Sequence, residues 1–197
     1  MADPRKEKTL LLIKPDGVRR ALIGQILSRI ENCGLKIIGI KFMKPNEDHI
    51  RKHYPMTKEW MTGLGNKTLE GYKEHNIDPI KKLGTADPHE IGKMVAQWNI
   101  KTLSSEPIVA VAIKGLHAVE TVRKIVGPTV PAMAQLGTIR GDFSVDSVVL
   151  ANSNKRPLKN IVHAAGTISE AKKEIRHWFK KKELLEYKRV DEEIMFD

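Results

Sequence analysis

The sequence predicts an α/β sandwich, with helices packed on a mixed or antiparallel sheet. Two observations lead there. Short apolar runs alternate with stretches whose apolar residues recur at helical spacing, in the order strand, helix, strand, helices, strand, helix, strand, helix. No internal repeat, low-complexity tract or linker interrupts the 197 residues, a length suited to one domain with a sizeable core.

The elements follow in order. Residues 9–13 are a short apolar run, and Lys14-Pro15-Asp16-Gly17 then ends a buried strand in a turn. Leu22, Ile23, Ile26, Leu27 and Ile30 share one helix face, with Gly34 as the stop. Residues 35–43 predict a second strand, and 47–54 a short helix ending before Pro55. Residues 55–88 are polar and rich in Lys and Gly, with two short helix-like pieces at 58–64 and 69–75. Asp87 as cap and Pro88 as first helical residue open a helix that runs to about residue 103. Residues 107–113 predict a third strand. Residues 118–126 predict a helix closed by Gly127-Pro128, and 129–137 an irregular loop. Two further apolar runs, 145–150 and 158–162, are strand candidates. Thr167-Ile168-Ser169-Glu170 reads as a capping box, and Ile168, Ala171, Ile175, Trp178 and Phe179 carry a helix to about residue 179. Residues 180–197 form a charged extension.

Composition excludes several classes. Hydrophobic residues make up 41% and charged residues 29%, a soluble globular balance. No apolar run reaches the ~18 residues a membrane span needs, and the apolar stretch before Lys14 is too short for a signal-peptide core. The single Cys33 rules out an internal disulfide framework and fits a reducing, cytoplasmic location. The net charge of +10 fits nucleic acid or small phosphorylated ligands. Apart from clusters such as Lys180-Lys181-Lys182 the charge is dispersed, and 5% aromatic content argues against a base-stacking platform.

His163, in Asn160-Ile161-Val162-His163 just before the capping box, is the leading candidate for chemistry. Its position predicts a short turn leading into a helix N-terminus, whose free N–H groups favour anions. A neutral imidazole there is a nucleophile, a base or a metal ligand, or else a loop histidine with an ordinary hydrogen bond. The glycine-rich phosphate-loop motifs, the nucleophile elbow and zinc-ligand spacings are all absent. Phosphate binding must therefore come from side chains. Lys14 sits at a strand end, as a phosphate ligand or a solvated turn lysine. Arg140, between Gly137 and Gly141, either grips an anion with paired donors or pairs with Asp142 to stiffen its loop. Arg123, on the helix before Gly127, is a second clamp or a solvated helical arginine.

Six segments in this order resemble the nucleoside diphosphate kinases. They are Leu12-Ile13-Lys14-Pro15-Asp16-Gly17-Val18, His53-Tyr54, Gly127-Pro128-Thr129-Val130-Pro131, Gly137-Thr138-Ile139-Arg140-Gly141-Asp142-Phe143, Asn160-Ile161-Val162-His163, and Glu174-Ile175 with Trp178-Phe179. The resemblance implies an α+β, ferredoxin-like βαββαβ sandwich with an antiparallel sheet, helices on its faces and a helical insertion. It implies ping-pong transfer of the γ-phosphoryl group of a nucleoside triphosphate to His163 and then to a nucleoside diphosphate. Glu174 matches the residue that bonds the other ring nitrogen. Arg123, Thr129 and Arg140 match the groups holding the nucleotide phosphates. Lys14 matches the lysine touching the transferred phosphate and the sugar, Asn160 the sugar-binding asparagine, and Tyr54 a tyrosine beside the phosphoryl group. Mg²⁺ enters on the nucleotide phosphates with no protein cage, and the chain is expected to be a homo-oligomer (hexamer, tetramer or dimer).

The chain departs from the family pattern in several places. Ala164-Ala165-Gly166 stands where the family usually has Gly-Ser-Asp, so a hydroxyl near the phosphate is lost. A single domain of 1–197 carries an insertion at about 57–92 and a C-terminal extension at about 180–197. Val95 falls at the place of a base-stacking phenylalanine, with Trp98, Tyr72 and Trp60 as substitutes. The longer link from Phe143 to Asn160 holds Lys155, Arg156 and Lys159, expected to face solvent, and Ala134-Gln135-Leu136 alters a loop that contacts other subunits. These departures motivate a second reading, a weakly active member that mainly binds or regulates a partner. The charge motivates a third, nucleic-acid binding.

Overall fold

The computed structural model describes residues 3–196, and the last residue of the predicted extension, Asp197, lies outside the described residues. Four strands form one sheet: β1 (Glu7–Ile13), β2 (Lys36–Met43), β3 (Ile108–Gly115) and β4 (Val162–Ala164), in the order β2-β3-β1-β4 with every neighbouring pair antiparallel. Eleven helices are described. They are α1 (Pro15–Arg19), α2 (Ile23–Glu31), α3 (Glu47–His53), α4 (Lys58–Glu74), α5 (Pro79–Leu83), α6 (Pro88–Ser105), α7 (Ala118–Val126), α8 (Ile139–Phe143), α9 (Val148–Ser153), α10 (Ile168–Trp178) and α11 (Glu192–Phe196).

Strand side chains alternate between faces, so each strand contributes to two cores. Leu11, Ile13, Val109, Val111 and Ile113 pack with Ile26 and Ile30 of α2 and Val122 and Val126 of α7. Leu10, Leu12, Ala110 and Ala112 pack on the other face with Ile50 of α3, Ile100 and Leu103 of α6, and Ile175 and Trp178 of α10. Leu10 to Ile13 are all fully buried, as a central strand covered on both sides must be. Each such side chain contributes roughly 1.5–3 kcal/mol. Among the described residues no helix is long and apolar enough to cross a membrane.

Three expectations are corrected. Residues 58–74 form one continuous helix, because the glycines that read as breaks are packing sites. A Cβ on Gly65 of α4 would lie 1.8 Å from the Pro88 carbonyl oxygen, and one on Gly92 of α6 would lie 1.8 Å from that of Met61. The two helices thus meet backbone to backbone. Residues 145–150 are not a strand: Ser147 accepts the Leu150 N–H and caps α9. Asn152 of α9 donates to Thr68 of α4 at 3.2 Å, both buried, which ties these helices together. Of residues 158–162 only Val162 joins β4.

The remainder of that run is a three-residue turn on which the site depends. Val162 N–H donates to Asn160 O at 2.7 Å, and Ile161 between them has φ 69°. A β-branched residue there is strained by ~1–3 kcal/mol and persists only when its surroundings over-determine it. Here they do. Lys14 N–H donates to Ile161 O at 2.8 Å, and the Asp16 carboxylate accepts the Ile161 N–H at 2.9 Å. Arg140 donates to Asn160 O at 3.2 Å and to Val162 O at 2.8 Å. Gly17 leaves room for Ile161, since a Cβ there would lie 3.1 Å from its carbonyl oxygen and 2.9 Å from Ile13 Cγ2. The Lys14-Pro15-Asp16-Gly17 motif is therefore the seat of the turn that delivers His163.

Two stability comparisons follow. Gly92→Ala forces α4 and α6 apart and should cost ~1–3 kcal/mol in chemical denaturation. Gly24→Ala in α2, where the methyl meets nothing within 4 Å, should instead gain ~0.5–1 kcal/mol. Gly17→Ala should likewise cost ~1–3 kcal/mol, because its methyl meets Ile13 and the Ile161 carbonyl. Equal effects of the Gly24 and Gly92 substitutions would refute the close helix contact.

Candidate active site

A cavity of about 170 Å³ opens where β1, β4, α7 and α8 converge, and Lys14, Tyr54, Asn99, Arg123, Thr129, Arg140, Asn160 and His163 line it. No carboxylate is among its lining residues. The structure thus brings seven sequence-predicted residues to one wall and places the eighth, Glu174, directly behind His163.

His163 lies on β4, opposite Leu12 of β1, and not on a turn leading into a helix as its sequence position predicts. Its side chain is 23% exposed. Nε2 is bound by both Glu174 oxygens, at 2.9 and 3.1 Å, so Nδ1 is the nitrogen left for the cavity. The start of α10 does not supply anion-binding N–H groups either. Thr167 takes the Glu170 N–H, Glu170 takes the Gly166 N–H, and neither residue lines the cavity. Ala165 turns its methyl into a small buried cluster with Val119 and Ala171.

Glu174 is buried on α10. Burial pushes its carboxyl above the ordinary range, His163 pulls it down, and the neighbouring Glu170 raises it. Behind it, Trp178 Nε1–H donates to His53 Nδ1 at 3.2 Å, which assigns the His53 proton to Nε2. Burial, and then His163, hold the His53 imidazole well below the usual histidine range. The His53 and His163 rings meet edge to face, with centroids 4.7 Å apart. Donor atoms of His53, His163 and Glu174 lie within 4.8 Å of one another. However, Glu174 is committed to His163, and His53 Nδ1 to Trp178. Glu174 braces the His163 ring by hydrogen bonds, and His53 by its edge-to-face contact.

The cations differ in how far they are already used. Lys14 Nζ donates to Leu158 O and to Asn160 Oδ1, both at 2.8 Å, leaving one N–H, and burial lowers its pKa. Asn160 Nδ2 donates to Thr129 O at 2.8 Å. Arg140 donates to three carbonyls, those of Asn160, Gly127 and Val162, and keeps two N–H groups free. Burial, with Arg123 nearby, lowers its pKa to about 10, so it stays charged at neutral pH. Asp142 is not its partner: that carboxylate pairs with Arg29 and takes the Gly137 N–H. Arg123 is exposed and has no ion pair or hydrogen bond from its side chain among the described residues.

Other expectations change. Trp60 stacks on Tyr54, with centroids 5.2 Å apart, and burial, then Glu174, push the Tyr54 phenol up. Tyr72 is buried, and neither Val95 nor Trp98 lines the cavity, whereas Asn99 does. Arg156 does not face solvent but grips Asp146 with two bonds of 2.6 and 3.0 Å, and the same carboxylate takes the Lys159 N–H. His53, Trp178, Asp16 and Glu170 escaped the sequence reading as site residues, although each stands in a motif it used.

Comparison with known proteins shows which family the chain resembles in sequence and in fold. The family model described as "Nucleoside diphosphate kinase" matches residues 7–62 and 88–184. A nucleoside diphosphate kinase of Pyrobaculum aerophilum is 49% identical over 180 residues, covering 91% of this chain and 98% of its own. A crystal structure of an NDP kinase from that organism superposes with a TM-score of 0.89 at 47% identity, over 92% of this chain and 100% of the other. A Borrelia burgdorferi nucleoside-diphosphate kinase, a transition-state mimic with bound vanadate and ADP, gives 0.77 at 34% identity over 96% of both chains. With its fold, its histidine–carboxylate pair and its sequence all pointing the same way, the chain belongs to the nucleoside diphosphate kinase family.

Proposed function

We propose that the protein is an active nucleoside diphosphate kinase that passes a γ-phosphoryl group from a nucleoside triphosphate to His163 and on to a nucleoside diphosphate. The observation that carries this reading is the His163 ring: Glu174 holds its Nε2 edge, and its Nδ1 edge faces a cavity lined by Lys14, Arg123 and Arg140. In the first half-reaction the Nδ1 lone pair attacks the γ-phosphorus, an N–P bond forms, and the P–O bond to the diphosphate breaks with its electron pair. The ring becomes positive while its Nε2 proton stays against Glu174, as an orienting carboxylate requires. In the second, a β-phosphate oxygen of the acceptor attacks the same phosphorus and the N–P electron pair returns to Nδ1. Protons balance over the cycle.

The supporting roles follow from what each group has left to give. Arg123, Arg140 and Thr129 hold the nucleotide phosphates. Lys14 and Asn160, already bonded to each other, meet the transferred phosphate and the sugar, and Tyr54 stands beside the phosphoryl group. A cavity lined by cations and free of carboxylates suits Mg²⁺ delivered on the nucleotide. When bound, the ion neutralises charge on the phosphate oxygens. The family match, which skips residues 63–87, supports reading 1–197 as one domain with an insertion at about 57–92. Exposed Ile40 and Phe42 on edge strand β2, and Met133 and Leu136 near α8, support a homo-oligomer, whether hexamer, tetramer or dimer.

Incubation with Mg²⁺ and ATP should add about 80 Da to the intact protein, an adduct lost in acid and absent from His163→Ala. No adduct, with nucleotide still bound, would move the reading to a binding or regulatory role. Arg123→Ala separates chemistry from folding. Its stability should stay within about 0.5 kcal/mol of wild type. Transfer should fall by ~2–4 kcal/mol of transition-state stabilisation, roughly 30- to 1000-fold. Unchanged kcat/KM in that variant would exclude the clamp role.

A further inference from the structure

Glu170 is the last residue of the predicted capping box, and its backbone behaves as the box requires, donating to Thr167 Oγ1 at 3.1 Å. Its side chain does not. A box carboxylate reaches back to the N–H of the cap residue itself. Here it passes Thr167 and accepts the Gly166 N–H at 2.7 Å. Gly166 makes this possible, because a Cβ there would lie 2.8 Å from Glu170 Oε2. The reach sets the carboxylate on the same face of α10 as Glu174, one helical turn before it. Two carboxylates placed so close on one helix face repel each other. The helix is already capped by Thr167, so the repulsion earns nothing for folding.

It does bear on His163. A second negative charge behind Glu174 makes that carboxylate a stronger acceptor for the Nε2–H, and electron density moves toward Nδ1. Resting on the phosphohistidine reading above, we propose that Glu170 is a positioning residue for phosphoryl transfer. Its charge, tethered to the Gly166 N–H, tightens Glu174 on the His163 ring and raises the nucleophilicity of Nδ1. The groups facing this pair are His163 from β4, His53 and Tyr54 at the end of α3, and Arg123 of α7, whose Nη1 lies 3.5 Å from the point where a Gly166 Cβ would sit.

Glu170→Gln is the informative variant, since an amide oxygen still accepts the Gly166 N–H while the charge is gone. Single-turnover phosphohistidine formation from Mg²⁺–ATP would be measured from about pH 5 to 9 on the full chain, with ADP affinity measured in parallel. Glu170 raises the Glu174 carboxyl, so removing its charge lowers the pH at which Glu174 takes a proton, and the acid limb of the profile moves to lower pH. The plateau rate should drop roughly tenfold with ADP affinity unchanged. A plateau and limb identical to wild type overturn the proposal. So does a slower rate with an unmoved limb, which would leave Glu170 a mere tether. A wild type that forms no adduct overturns the phosphohistidine reading and this role with it, whereas a wild-type adduct with an unaltered variant defeats this role alone.

Discussion

The backbone turn at Ile161 is the constraint on which the site depends. A strained residue is held at φ 69° because Lys14, Asp16 and Arg140 bond to the turn from two sides and Gly17 makes room for it. From that turn the chain enters β4 with His163 opposite Leu12 and Asn160 beside Lys14. The strain is small against the total burial of both cores, but it is local, and it lies within two residues of His163.

Much of the hydrogen-bonding capacity around the cavity is used before any ligand arrives. Arg140 and Lys14 are fixed by carbonyls, Asn160 by Lys14 and Thr129, and His163 by Glu174. What remains free on each group points to a narrow set of directions. Such preorganisation places donors where charge develops, with little reorganisation at the moment of reaction. Arg123 is the contrast, an exposed side chain on the cavity rim without an internal partner among the described residues.

Local features were legible in the sequence, and long-range ones were not. Helix α7 runs from Ala118 to Val126 as its apolar spacing and Gly127 foretell, and α10 starts at the Thr167 cap. Lys14, Arg140 and His163 stand in short motifs that could be read directly, while Glu174 needed the family resemblance. The misread stretches have physical reasons. Gly65 looks like a helix breaker unless one sees that the backbones of two helices touch there. β4 has only three residues, too few to show a period. The Trp178–His53 bond and the reach of Glu170 to Gly166 depend on side-chain packing, which spacing along the chain does not encode.

The bond from Lys14 to Asn160 joins residues 146 positions apart. Closing so long a loop has an entropic cost that the other contacts of the fold must offset. That wall of the cavity therefore depends on the whole fold that brings Lys14 and Asn160 together. Nucleotide then recognises only the finished molecule, and each bound ligand shifts the folding equilibrium toward it. A cell rich in nucleotides therefore adds to the stability that burial in the two cores already supplies.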